Sequence, residues 1–176
     1  MILSRLLYLS DMAIFRPQEI LQTYTDFDID KHLEKGFRCI FLDIDNTIAV
    51  PNTGFCDDRA KKFIYELKEK GFKVLIFSNN TKKRVSSFAD PIPCKWHCWA
   101  FKPLPFSFWI ACRRMKVKPH EVVSLGDQLI TDVLGANLSG CHAIYCKQLQ
   151  EKDSFITHIN RKIEKFIWRH VLHEKV

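Results

Sequence analysis

Two aspartates one residue apart, Asp43 and Asp45, followed by Thr47, close the apolar run Cys39 to Leu42. Alternation along an extended chain sends residues i and i+2 to one side, so both carboxylates aim the same way. Like charges in close approach need a cation or a shared proton. A carboxylate pair at the end of a buried strand therefore points to metal or phosphate chemistry. Three further stretches place reactive groups just past apolar segments. Val74 to Phe77 runs into Ser78-Asn79-Asn80. Trp99 to Phe101 precedes Lys102-Pro103. Val122 to Leu125 runs into Gly126-Asp127-Gln128-Leu129-Ile130-Thr131-Asp132. In open parallel α/β sheets, ligands bind outside the C-terminal ends of the strands, where all of these groups fall.

Taken singly, each stretch has an ordinary explanation. An isolated aspartate pair caps turns, Ser-Asn-Asn is a common turn, and a lone lysine is usually a surface group. The order of the four carries the inference.

The elements that must position these groups alternate. After the strand at Cys39–Leu42 and a loop or flap over 48–56, Asp57-Asp58 caps a helix whose Phe63, Ile64 and Leu67 share a face and which stops at Gly71. A strand over 72–77 and a helix over 82–88 follow, the latter broken by Pro91 and Pro93. A short strand is expected around 96–101, a helix over 105–115, a strand over 121–125, a helix over 132–138 and a last strand over 142–146. Such alternation predicts a three-layer α/β fold with a parallel sheet. About thirty residues separate Asp45 from Ser78 and about two dozen separate Ser78 from Lys102, which leaves no room for an inserted cap domain. An open site of that kind suits a phosphate presented on something large or on a surface. Residues 1–36 are expected as an N-terminal helical extension, with a helix starting at Arg16-Pro17 and a helical turn at Lys31 to Lys35 ended by Gly36. The core is expected over 37–150, and 151–176 as a basic amphipathic helix.

Composition narrows the class. A chain of 176 residues, 47% hydrophobic and 27% charged, forms one ordinary globular domain. No apolar run reaches the ~18 residues of a membrane span, and Arg5, Ser10 and Asp11 break the N-terminal apolar stretch below the core length of a secretory signal. A cytoplasmic location is expected. Seven cysteines, an odd number, with Cys39, Cys98 and Cys146 in expected buried strands, suit free thiols in a reducing compartment. Cys94 and Cys98 have imperfect spacing for zinc and no second cysteine pair, and are read as core residues. The net charge of +7 attracts anions: phosphorylated substrates, anionic lipid surfaces or nucleic acid. No RNA-binding signature is present, and nucleic acid is the partner least expected.

Asp43-x-Asp45-x-Thr47, Ser78, Lys102 and Gly126-Asp127-x-x-x-Thr131-Asp132 resemble the four motifs of the haloacid dehalogenase-like (HAD) phosphatases. DIDNT, SNN, FKP and GDQLITD, with the tail Phe155 to Arg161, look like the YqeG-type branch of HAD subfamily III, which is similar to mitochondrial phosphatidylglycerophosphate phosphatases. The resemblance implies a Rossmannoid sheet ordered 5-4-1-2-3 with the Asp43 strand central. It implies that Asp43 is a nucleophile forming an aspartyl-phosphate and Asp45 a general acid and base. Ser78 and Lys102 would stabilise the transferring phosphoryl group. Thr47 would support the loop or contact the phosphoryl group, and the Asn79 backbone would join Ser78 in donating to the substrate phosphate. Mg²⁺ would be held by Asp43, the Asp45 backbone carbonyl and Asp127, with Asp132 as an outer-shell or alternate ligand.

The ends of the chain bear on the substrate. Phe155, Ile156, Ile159, Ile163, Phe166, Ile167 and Val171 recur at helical steps, with Arg161, Lys162, Lys165 and Arg169 mostly on the remaining face. Such a helix either packs on the core or a partner, or lies on anionic lipid, a duty that Ile2 to Phe15 could share. Three functions stay open: a lipid-phosphate phosphatase acting on a substrate such as phosphatidylglycerophosphate, with peripheral contact to an anionic membrane; a capless phosphatase for a phosphoprotein, a nucleic-acid end or a soluble metabolite; and a non-catalytic binding protein on the same fold.

Overall fold

The computed structural model describes residues 13–51, 53–150 and 162–172. Six parallel strands form one sheet: β1 (Glu19–Leu21), β2 (Cys39–Leu42), β3 (Lys73–Phe77), β4 (Lys95–His97), β5 (Val122–Gly126) and β6 (His142–Cys146). Their spatial order is β1-β6-β5-β2-β3-β4. The five strands expected from sequence take the 5-4-1-2-3 order, with β2 central between β3 and β5. All four β2 residues are buried, as a strand covered on both faces requires.

Alternation along the strands divides the core. Ile40, Leu42, Val74, Ile76, Val123 and Leu125 face one side, where they meet α1 (Ile29–Glu34), α2 (Asp58–Glu69) and α3 (Lys82–Ala89). Cys39, Phe41, Leu75, Phe77, Val122 and Tyr145 face the other, against α4 (Pro105–Met115) and α5 (Leu134–Ser139). Phe41, Phe77 and Phe108 form a ring cluster beneath the rim, with Phe77–Phe108 centroids 4.8 Å apart. The expected α2 is realised: Asp57 accepts from Ala60 N at 2.7 Å, Phe63, Ile64 and Leu67 are buried, and the chain leaves through Gly71 at φ +104°. Among the described residues no folded unit is inserted between the strands, and no helix is long and apolar enough to cross a membrane.

Four local expectations are corrected. The helix start at Arg16-Pro17 is instead the approach to β1, which adds an edge strand beside β6. A free strand edge with unpaired backbone groups outweighs three residues of helical tendency, so residues 1–36 are not a purely helical extension. Strand β4 stops at His97, because Trp99 and Phe101 adopt left-handed φ of 49° each, which an extended strand cannot contain. Cys98 consequently sits beyond the strand, half-buried against the same core cluster as Cys94. Asp132 does not open a regular helix. Leu129–Val133 forms a π-turn leading into α5, a local widening often found at functional sites.

The described part of the tail packs on the core, through Ile167 of the expected apolar face but not through its neighbours Ile163 and Phe166. Glu164, Ile167, Trp168 and Leu172 are buried, while Ile163 and Phe166 are exposed. Glu164 accepts a hydrogen bond from Ile130 N at 3.1 Å, tying the tail to the π-turn. The expected apolar positions Phe155, Ile156 and Ile159, and the segment 1–12, lie outside the described residues.

Candidate active site

The turn after β2 is drawn tight by three amides, of Thr47, Ile48 and Ala49, which all donate to the carbonyl of Ile44. Asn46 takes φ +62°, a conformation asparagine tolerates better than most residues. Its side-chain oxygen accepts from Gln150 N and its carbonyl from Leu149 N, which ties the turn to the segment after β6. Asp43 therefore projects from a rigid loop at the C-terminal end of the central strand.

Lys102 reaches the same point from the far side. The loop after β4 bonds to the loop after β3 through Trp99 N to Asn80 O and Ala100 N to Ser78 O. Asn79 then clamps the lysine's backbone at two points, accepting from Lys102 N at 2.7 Å and donating to Lys102 O at 3.0 Å. The Lys102 ammonium is buried between two carboxylates, 2.7 Å from Asp43 Oδ1 and 2.6 Å from Asp132 Oδ1. Asp132 is oriented by Gln128 N and by the Thr131 hydroxyl. Thr47, fully buried, donates to Asp127 Oδ1 at 3.2 Å.

Oxygens of Asp43, Asp127 and Asp132 lie within 4.8 Å of one another. Three carboxylates against one ammonium leave two negative charges in a buried space, the deficit that one divalent cation would balance. An all-oxygen carboxylate set suits a hard ion. Burial raises the Asp43 carboxyl to about 6; the Lys102 ammonium pulls it down, and Asp132 pushes it up again. Lys102 is also buried, which disfavours its charge, yet the carboxylates of Asp132 and Asp43 outweigh that and hold its ionisation above the usual range. The two shifts differ in their leading cause: burial dominates for Asp43, whereas for Lys102 the two carboxylates that it bridges outweigh burial.

The remaining expected residues divide. Ser78 is buried at the end of β3, with its hydroxyl oxygen accepting from Asn80 N. The Asn79 side chain is committed to Lys102, and the Thr47 hydroxyl to Asp127. The Asp45 side chain turns away from the carboxylate cluster. Asn80 Nδ2 donates to its Oδ2 at 2.5 Å, and Arg84 donates to its Oδ1 from Nη2 at 2.8 Å and from Nε at 3.3 Å. Arg84 and Asn80 were not foreseen. The only available signal was position: Arg84 follows the cap residue Thr81 by three, so the first turn of α3 points it back at the rim.

Gly126 is a steric requirement of this packing. A methyl group there would overlap the Asp132 carboxylate. Gly126→Ala is expected to displace Asp132 from Lys102, lower stability by about 1–3 kcal/mol as overpacking does, and lower turnover at least tenfold. Thermal unfolding and phosphate release measured on one preparation check both.

Comparison with known proteins agrees with this geometry. The family model for haloacid dehalogenase-like hydrolases matches residues 12–140. The chain is 36% identical over 153 residues to "Probable phosphatase YqeG" of Bacillus subtilis (strain 168), covering 87% of this chain and 89% of that protein. Two solved structures share the fold. An uncharacterized protein from Listeria monocytogenes serotype 4b has a TM-score of 0.52 at 20% identity, covering 73% of this chain and 98% of that one. The cobalt-bound deoxy-D-mannose-octulosonate 8-phosphate phosphatase of Haemophilus influenzae has a TM-score of 0.50 at 11% identity, covering 78% and 90%. With a parallel sheet that gathers Asp43, Lys102, Asp127 and Asp132 at one rim, and a family match over most of its length, the chain belongs to the haloacid dehalogenase-like hydrolases, as an enzyme of the phosphatase type.

Proposed function

We propose that this chain is a Mg²⁺-dependent phosphomonoester hydrolase that works through an aspartyl-phosphate and acts on a phosphate carried by lipid, such as phosphatidylglycerophosphate. The observation that carries the chemistry is the Lys102 ammonium between Asp43 and Asp132, with Asp127 beside them. Asp43, Asp127 and the Asp45 carbonyl would hold the cation, with Asp132 as an outer or alternate ligand. The cation supplies charge neutralisation, which lets an anionic nucleophile approach an anionic phosphate. A carboxylate oxygen of Asp43 attacks phosphorus and the bond to the leaving oxygen breaks. Asp45 gives that oxygen its proton. Water then attacks the aspartyl-phosphate, Asp45 takes a water proton, and Asp43 is freed with release of phosphate. Asp45 must leave Arg84 and Asn80 to carry a proton. Ser78 and Lys102 donate to the phosphoryl oxygens as charge develops on them.

The lipid substrate is supported by the surface around Lys102. Trp99, Phe101, Leu104, Phe106, Trp109 and Ile110 are each between 47% and 60% exposed. Soluble proteins rarely leave so many large apolar groups together without a partner. Ile163 and Phe166 are exposed on the tail helix, beside exposed Lys162, Lys165 and Arg169. Aromatic and aliphatic groups next to cations suit the interface of an anionic bilayer. The expected result is phosphate release from phosphatidylglycerophosphate in anionic vesicles at least tenfold faster than from soluble phosphosugars, with loss of both on chelation of Mg²⁺. Trp99→Ser with Phe101→Ser should lower the vesicle rate and leave the soluble rate unchanged. Equal rates on both substrates in the unaltered chain would overturn the lipid reading and leave the phosphatase chemistry standing.

A further inference from the structure

At the edge of the sheet opposite the catalytic rim, three elements bring together Glu19, His32 and His142. Glu19 opens β1 and His142 opens β6. Glu19 pairs with Ile144, two residues from His142, so both side chains rise on one face of the sheet. His32 comes down from α1 and is 1% exposed. Its Nε2 lies 3.3 Å from Glu19 Oε1, and His142 Nε2 lies 3.7 Å from the same oxygen. All three donor atoms fall within 4.8 Å of one another.

The tautomer of His32 is decided by its other nitrogen. Nδ1 sits 2.7 Å from the Asp28 carbonyl, which can only accept, so Nδ1 carries the hydrogen. In a neutral ring Nε2 then presents a lone pair to the Glu19 carboxylate. Among the described residues, neither His32 Nε2 nor His142 Nε2 makes a hydrogen bond of good geometry, and both atoms are buried. Such atoms are costly when left unsatisfied. Phe27 stacks on His32 at 4.3 Å, and Phe37 lies 4.8 Å from His142, so the rings are held by packing as well.

We propose that Glu19, His32 and His142 form a second metal site, for zinc or a similar divalent transition ion, which clamps β1 and α1 to β6. Two imidazoles and a carboxylate are an ordinary ligand set for such ions. Ligands at the usual ~2.0–2.1 Å from a tetrahedral ion stand about 3.3–3.4 Å apart, close to the 3.3 and 3.7 Å that separate the two Nε2 atoms from Glu19 Oε1. His32 already has the outer hydrogen bond that orients ligating histidines. The charges facing the cluster are the ammonium groups of Lys31 and Lys35, both on Glu19, and Lys35 shares Oε1 with the histidines at 3.1 Å. Lys35 is 45% exposed at its side chain, free to withdraw into water as the ion enters. The site is independent of the phosphatase chemistry.

The test uses the full chain stripped of metal, as an Asp127→Asn variant so that the catalytic carboxylates do not compete. With zinc at 100-fold its dissociation constant, the midpoint of thermal unfolding should rise by about 5–10 °C. Cobalt(II) should bind at one equivalent and give visible absorption without the intense near-ultraviolet band of cobalt–thiolate bonds. Glu19→Gln and His142→Asn, made singly in that background, should each abolish the zinc-dependent rise. Lys35→Ala should tighten zinc binding several-fold, whereas a simple ion-pair cluster predicts only a less stable protein. No zinc-dependent rise in the parent variant, a rise that survives His142→Asn, or a cobalt–thiolate band would each overturn the proposal.

Discussion

Asp43→Asn should abolish turnover while making the metal-free protein more stable. The amide keeps the shape of the carboxylate and can still accept from Lys102, but it cannot form an aspartyl-phosphate. Loss of a covalent nucleophile costs on the order of 10⁴-fold or more in kcat. The stability gain follows from linkage. Burial lifts the Asp43 carboxyl from an ordinary 3.8 to about 6. A carboxyl whose folded value is raised destabilises the folded state once pH exceeds its unfolded value. The cost is absent below about 3.8, grows between 3.8 and 6, and is complete above 6. At pH 7 it amounts to roughly 3 kcal/mol. The asparagine variant should therefore unfold several degrees higher at pH 7 without metal, and the advantage should vanish toward pH 4. Saturating Mg²⁺ should shrink it as well, since the cation stabilises the ionised form. Chemical denaturation across that pH range, with and without Mg²⁺, checks the sign. A variant that is less stable at every pH would contradict the charge balance described for the site.

Lys102→Met carries the second large effect, in the opposite direction on stability. Removing the ammonium leaves Asp43, Asp127 and Asp132 crowded without a positive partner. Breaking a buried ion pair by deleting one member costs about 3–5 kcal/mol, a large part of the ~5–15 kcal/mol available to an ordinary domain. Divalent cation should restore much of that stability, because it replaces the missing charge, and should bind more tightly to the variant than to the parent chain. Activity should not return with it. The phosphoryl oxygens would still lack a fixed donor, a loss of about 10²–10³ in kcat. Stability rescued by Mg²⁺ while turnover stays low separates the lysine's two duties. Full recovery of activity on adding metal would show that Lys102 acts on folding alone.

Much of this arrangement was legible in the residues because hydrophobic runs and the ends of strands leave strong local signals. Cys39–Leu42, buried at every position, and the abrupt polar residues behind it mark a central strand with a functional rim. The helix bounds at Pro105 and Met115, and the cap at Asp57, follow from short-range rules that tertiary contacts reinforce here. What escaped notice depended on long-range partners. Strand β1 is three residues long and follows a proline, so no periodicity announces it; it exists because β6 offers an open edge. The end of β4 is set by two aromatic residues in left-handed conformation, which their side chains give no reason to expect. In the tail, spacing groups Ile163 and Phe166 with Ile167, yet only Ile167 is buried, and Glu164 lies inside where Ile130 N donates to it. Arg84 resembled any surface cation on α3, and only the fold brings it to Asp45. The side-chain role of Asn79, the clamp that holds Lys102, has no signal in the motif, because it depends on the loop after β4 arriving beside it.

The phosphatase chemistry and the lipid surface are separable. The first rests on four carboxylates and one lysine at the rim, the second on six exposed apolar groups beside it. Failure of vesicle-borne substrate would redirect the search to phosphates on other carriers without touching Asp43.

Acid quenching during turnover, followed by mass analysis of the peptides, tests the central chemistry most directly. One phosphoryl group should be found on the peptide containing Asp43, released by hydroxylamine as an acyl phosphate is, and absent from Asp43→Asn. Phosphate liberated at the full rate with no phosphoryl group on that peptide, or with the group on another residue, would contradict the account.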